Sequence, residues 1–210
     1  MRRVGLLALV VLGCQSPAPP PLAAPEPSAE PTPPKQLVRA NVLQPGLPHH
    51  TIILTYHDMV PKRDRNALWF DCTPDELRAQ IRQMRAAGAN FLPLTKAVDR
   101  MTGAERIPLD SPTICITFAD NYAGFLKHAW PILKEENIPV TLFVHTGHVG
   151  SQKGRPKMTW DQLKELQASG LVWVESQTIS HAPDLAKLTD AQLKKEMEIS
   201  RASIEKHLGR

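Results

Sequence analysis

The sequence predicts an α/β fold built on a mainly parallel sheet with crossover helices. Three observations predict it. Short β-branched apolar runs alternate with helical segments, capping boxes mark helix starts, and a glycine closes the first and third of those segments. Strands that alternate with helices pair in parallel, because each crossover returns the chain to the same edge of the sheet.

The elements follow in order. Thr51 to Tyr56, "TIILTY", is apolar and β-branched, hence a strand. Thr73-Pro74-Asp75-Glu76 supplies an N-cap, a Pro in the first turn and a reciprocal Glu. Leu77, Ile81 and Met84 then share one helical face, and Gly88 ends the helix. Thr113 to Phe118 is the next strand, and Phe125 to Glu136 the next helix, with Ala129, Ile132 and Leu133 inward. Pro131 inside that helix predicts a kink or break, since it donates no backbone hydrogen bond. Val140 to Val144 is a third strand. Thr159-Trp160-Asp161-Gln162 caps a helix with Leu163 and Leu166 inward and Gly170 as its stop. Leu171 to Val174 is a fourth strand. Thr189 to Gln192 caps a last helix whose buried side carries Leu193, Met197, Ile204 and Leu208. No internal repeat is visible.

The 210 residues, 42 % of them apolar and 22 % charged, suit a globular chain of one or two domains. Its net charge of +4 comes from scattered Lys and Arg, so no nucleic-acid partner is expected. The amino terminus reads differently. Arg2 and Arg3 precede a short apolar run, Val4 to Leu12, too brief to span a bilayer. The run ends in Val11-Leu12-Gly13-Cys14, which resembles a bacterial lipobox, so residues 1–13 are expected to be a signal peptide and Cys14 the lipidation site. A plain secretory signal is the alternative. Gln15 in place of Asp implies outer-membrane anchoring in a Gram-negative host, facing the periplasm or cell surface. Residues 14–48, rich in Pro and Ala, form a semi-rigid linker, and residues 49–210 the folded domain. Cys72 and Cys115 could pair in an exported protein, but a buried thiol suits Cys115 inside its apolar strand.

Ligand sites in parallel α/β folds lie at the carboxyl ends of strands. Asp120, His145, His148, Gln177, His181, His57 and Asp58 all follow predicted strands, so they converge on one rim. Each histidine singly is an ordinary polar or surface residue. Together with a carboxylate they match the donor set of a divalent cation such as zinc.

Two of these strand ends carry a resemblance. "ITFADNY" is similar to the Thr-Phe-Asp-Asp-Gly-Tyr motif of the polysaccharide deacetylases, carbohydrate esterase family 4. "SQTISH" resembles that family's Ser-His-Thr-x-x-His motif. "LTYHDMV", "TPDELRAQIRQMRAAGANFLPL" and "PKMTWDQLKEL" resemble its poly-N-acetylglucosamine branch. The resemblance runs from about Thr51 onward. It implies a distorted (β/α) barrel, here partial and lacking the C-terminal strands, and a metal that polarises an N-acetyl carbonyl of a polysaccharide for attack by water. By position, Asp120 and His181 match metal ligands, His57 matches a histidine beside the site, and Tyr122 matches the closing aromatic of the first motif. Tyr122 and Gln177 are the expected substrate contacts.

The pattern is broken in three places. Ala119 stands where the family has its general base, and Gln177 where it has a metal-binding histidine. The motifs expected beyond the last helix, including the general-acid histidine, do not occur in these 210 residues. Asp58, or a carboxylate from a partner chain completing the barrel, would have to act as base, and His145 or His148 would have to replace the ligand. Three readings follow: an impaired N-deacetylase, a glycan-binding pseudoenzyme anchored to the membrane, or a remnant of a longer deacetylase.

Overall fold

A computed structural model describes residues 51–102 and 112–209. The signal peptide, the linker and Cys14 lie outside these residues. Leu47–Arg210 forms one compact unit. Its elements run β1 (Thr51–Tyr56), α1 (Pro74–Ala86), β2 (Asn90–Phe91), α2 (Leu94–Thr102), β3 (Thr113–Phe118), α3 (Trp130–Glu135), β4 (Val140–Val144), α4 (Trp160–Ala168), β5 (Val172–Ser176) and α5 (Asp190–Leu208).

All strand pairs are parallel, in the order β1-β3-β4-β5. β3 is the centre, and all six of its residues are buried. β1 pairs with its whole length, from Thr51 against Thr113 to Tyr56 against Phe118. On its other edge β2 takes the first two residues and β4 the last three. A nearly unbroken apolar run is what a strand covered on both faces requires. Of its two threonines, Thr117 donates its hydroxyl to the Leu54 carbonyl at 3.1 Å and meets Thr55 Oγ1 at 3.0 Å. Parallel pairing brings the carboxyl ends of β1, β3, β4 and β5 to one rim, as expected.

The helices start where their caps predict. Thr73, Thr159 and Thr189 each accept from the backbone N–H three residues on, and Glu76, Gln162 and Gln192 return the bond. Leu77 and Ile81 of α1, Ile132 and Leu133 of α3, and Leu163 and Leu166 of α4 pack onto the sheet. Phe118 anchors the core, stacked on Tyr56 at 5.1 Å and edge-on to Phe125 at 4.8 Å. Full burial of such a side chain stabilises by roughly 1.5–3 kcal/mol. Cys72 and Cys115 are both free and buried, and burial pushes the Cys115 thiol up to about 11.

The break expected at Pro131 is a single widened turn. Residues Phe125–Ala129 wind as a π-helix, and the Trp130 N–H reaches back five residues to Phe125 O. Pro131 cannot supply the hydrogen bond of an ordinary helix, so the turn before it loosens. Two expectations needed correction. β2 and α2 were not foreseen, and Met197 of α5 is 52 % exposed rather than inward. Ser200, Ile204 and Leu208 form the buried stripe of α5. No helix among the described residues is long and apolar enough to cross a membrane.

Candidate metal and catalytic centre

Three loops build the rim. After β3, the Ala119 N–H donates to Tyr56 O at 2.8 Å, so Asp120 is the first residue free of the sheet. Asp120 and Asn121 then turn through the left-handed region, with φ of 68° and 57°. Asn121 fastens the turn by donating from its side chain to Met158 O at 3.0 Å, and its own carbonyl accepts from the Met158 N–H.

The loops after β4 and β5 are zipped together. The Gln177 N–H donates to Val144 O, Thr146 N–H to Thr178 O, and Gly147 N–H to Ile179 O, at 2.9–3.1 Å. The β4–β5 pairing therefore runs on past the ends of both strands. Gly147 is required there, because a Cβ would stand 2.8 Å from Ile179 O. From the other side, Glu196 of α5 accepts from the N–H groups of Ile179 and Ser180 and from the Ser180 hydroxyl. Thr178 and His181 are also left-handed, with φ of 70° and 57°. Such non-glycine conformations cost of order 1–3 kcal/mol each and collect at functional sites.

This scaffold brings Asp120, His145 and His181 together, with one ligand atom from each lying within 4.8 Å of the others. His145 Nε2 meets Asp120 Oδ1 at 3.1 Å, and the His145 ring stacks on His181 with centroids 4.1 Å apart. His145 is 3 % exposed, and its Nδ1 has no hydrogen-bond partner. Burial alone would raise the Asp120 pKa. The hydrogen bond from His145 and the nearby charges of His145, His181 and His57 outweigh it and hold Asp120 at about 2. His181 shifts down, chiefly by burial and then by its neighbour His145. One anionic oxygen and two imidazoles fit a zinc-type cation.

The other expected residues sort differently. His57 is half-buried against Phe70, ring centroids 5.1 Å apart, with its pKa lowered by burial against the pull of Asp120. It stands near the cluster but outside its three ligands. Asp58 is buried with both oxygens engaged, one by the Met59 N–H at 2.8 Å and one by Arg155 at 2.9 Å. That places it in an ion pair with Arg155. Gln177 donates its amide N–H to Asp120 Oδ1 at 3.1 Å and accepts the Asp120 backbone N–H at 3.0 Å. It orients the carboxylate. Tyr122 lies under Lys157, whose Nζ sits 3.3 Å from the ring centroid. His148 is exposed, its Nε2 3.3 Å from Ser180 O.

Sequence reasoning missed Lys157, Arg155, Asp71 and Phe70. Burial, against the charges of Asp120 and Asp58, brings the Lys157 ammonium down to about 8. Arg155 grips both oxygens of fully buried Asp71 and also holds Asp58, tying the β1 loop to the segment before α4. The segment "PKMTW" drew attention, but only for its capping threonine and its likeness to the family.

A sequence profile described as polysaccharide deacetylase matches residues 106–210, half of the chain. A curated relative, the poly-β-1,6-N-acetyl-D-glucosamine N-deacetylase of Staphylococcus aureus strain MSSA476, is 29 % identical over 143 residues. That match covers 67 % of this chain and 47 % of the relative, so the chain spans about half the length of the curated relatives it matches. Among solved structures, IcaB from Ammonifex degensii superposes with a TM-score of 0.66 at 25 % identity, over 78 % of this chain and 71 % of that one. The Streptococcus pyogenes deacetylase PplD, solved with acetate, gives 0.66 at 26 % identity, over 75 % and 69 %. With the two strand-end motifs meeting at one rim, these matches place the chain in the polysaccharide deacetylase family, on the side of its poly-N-acetylglucosamine deacetylase branch.

Proposed function

We propose that this chain is a metal-dependent polysaccharide N-deacetylase of low catalytic power, acting on N-acetylglucosamine-containing envelope or exported glycan. The observation that carries the reading is the gathering of Asp120 and His181 with a second imidazole at the strand-end rim. A bound divalent cation supplies Lewis-acid polarisation of the N-acetyl carbonyl and an acidified water. Asp120 stays ionised at neutral pH and is held in orientation by Gln177.

The low power follows from Ala119. Its methyl group takes no proton, and Asp58 is committed to Arg155 and the Met59 N–H. General-base help is worth about 10²–10⁴-fold in rate. Release of acetate from N-acetylglucosamine oligomers with added zinc is therefore expected at a rate that factor below ordinary turnover of roughly 1–10³ s⁻¹. Turnover within the ordinary range that Asp120→Ala abolishes would overturn the weak-catalyst reading.

A specific observation favours a second reading, glycan binding without hydrolysis. Trp69 is 65 % exposed and stands edge-on to Phe70, which contacts His57 and lies 6.3 Å from Tyr122. This aromatic path leads from solvent to the rim, and flat rings suit the apolar faces of sugars. Oligomer binding with no acetate released supports that reading. In either case we place the chain at the bacterial envelope as a Cys14-anchored lipoprotein, with residues 14–48 as tether. The support is the lipobox-like run and the Pro/Ala composition.

A further inference from the structure

We propose that His145, from the loop after β4, takes the metal-ligand place that Gln177 cannot fill, so that the metal site of this chain is Asp120, His145 and His181. The proposal rests on the metal-dependent reading above and identifies the third donor within it.

Gln177 is excluded by its own hydrogen bonds. Its amide N–H donates to Asp120 Oδ1 at 3.1 Å and its carbonyl oxygen accepts the Asp120 N–H at 3.0 Å. The amide thus turns its donor side toward the carboxylate, and its neutral oxygen is spent on the backbone. Its role is to position Asp120. His148 is excluded by place: it is exposed, its ring lies 6.3 Å from that of His145, and its Nε2 meets a main-chain carbonyl. His57 does not belong to the cluster.

His145 satisfies each requirement that these residues fail. It is buried at the rim, and its Nε2, the atom it would offer a cation, stands 3.1 Å from Asp120 Oδ1. The spacing fits too. Two ligand atoms about 2.1 Å from a tetrahedral ion stand about 3.4 Å apart. His145 Nε2 and Asp120 Oδ1 are 3.1 Å apart. The third ligand, His181, is the exposed member of the set, so its ring is the one free to adjust.

The backbone fixes this arrangement in advance. The hydrogen bonds Thr146 to Thr178 and Gly147 to Ile179 bind the His145 loop to the His181 loop, and Glu196 anchors the latter to α5. In the family pattern both imidazoles come from the single loop after β5. Here the two neighbouring loops contribute one each.

The test is zinc affinity, measured by competition with a chromophoric chelator on the whole protein. Four chains are compared: wild type, His145→Gln, Gln177→His, and the double variant. One zinc is expected per wild-type chain. Substitutions merely behind a ligand lower affinity by about 10–100-fold, so His145→Gln is expected to lower it by more than about 100-fold. Adding Gln177→His is expected to restore it, because the imidazole returns from the β5 loop. His148→Ala is expected to change nothing. If His145→Gln binds zinc like wild type, or wild type binds none, the proposal is overturned. Should His145→Gln fail to fold, zinc-edge X-ray absorption of the wild-type chain decides: two imidazoles per zinc support the assignment and one overturns it. Acetate release is scored separately. A wild-type chain that binds zinc through His145 but releases no acetate sinks the hydrolase reading and leaves this one standing.

Discussion

Ala119 and Gln177 are single-residue departures with different physical outcomes. On the proposed reading Ala119 leaves the general-base position without a proton acceptor, and both oxygens of Asp58 are engaged elsewhere. Ala119→Asp is therefore expected to raise acetate release by about 10²–10⁴-fold, read on N-acetylglucosamine oligomers with zinc. An unchanged rate would mean that the missing base is not what limits the chain. Lys157 offers a test by pH. Burial holds its ammonium at about 8, against 10.5 in the unfolded chain. Between those values the unfolded state keeps a proton that the folded state has shed, so this group makes stability rise with pH across that window. Wild type is expected to gain stability relative to Lys157→Met between pH 8 and 10, followed by urea unfolding at each pH. A constant difference would contradict it. Asp120 and His181 were legible in the sequence because motif and strand end coincide there. His145 was legible by position but not by burial, since a histidine after a strand looks the same whether it faces solvent or a carboxylate. Arg155 was not legible at all: its partners Asp71 and Asp58 lie 84 and 97 residues away.

At the level of the element, local chemistry predicted most starts and missed what depends on distant neighbours. The three threonine caps were readable because each box is complete within four residues. Thr159→Ala removes the acceptor of the Gln162 N–H and is expected to cost about 1 kcal/mol, seen as a lower urea midpoint with an unchanged slope. The same substitution is expected to leave zinc affinity alone, because α4 carries no ligand. β2, two residues long, is too short to show a period, and exists because Asn90 and Phe91 find β3 alongside. Met197 was assigned inward from helical spacing. It lines an open groove of about 620 Å³ with Glu175, Arg201 and Ile204 and stays half exposed there. Periodicity reports which side of a helix is apolar; it does not report whether anything packs there. The widened turn before α3 shows the same limit, for Pro131 announced a disruption but not its form.

For the whole molecule, the alternation of strands and helices was enough to predict parallel pairing and a shared rim, because crossover connections allow little else. The pairing order could not be read, since any apolar run suits the central place that β3 occupies. Leu47–Arg210 holds its own core, from Met59 to Leu208. A protein starting at Leu47 is thus expected to melt in one cooperative transition at the midpoint of the full chain, checked by calorimetry; a broad or shifted melt would show that the core needs residues 1–46. The sheet also couples the Asp120, His145 and His181 cluster to places that share no atoms with it. Gly147 carries only a hydrogen where any other residue would press on Ile179 O and the Ile179 side chain. Enlarging it would wedge the two loops open and draw one imidazole away from the other. On the proposed assignment, ion capture thus hangs on an absent methyl group, in a residue that donates nothing to the ion.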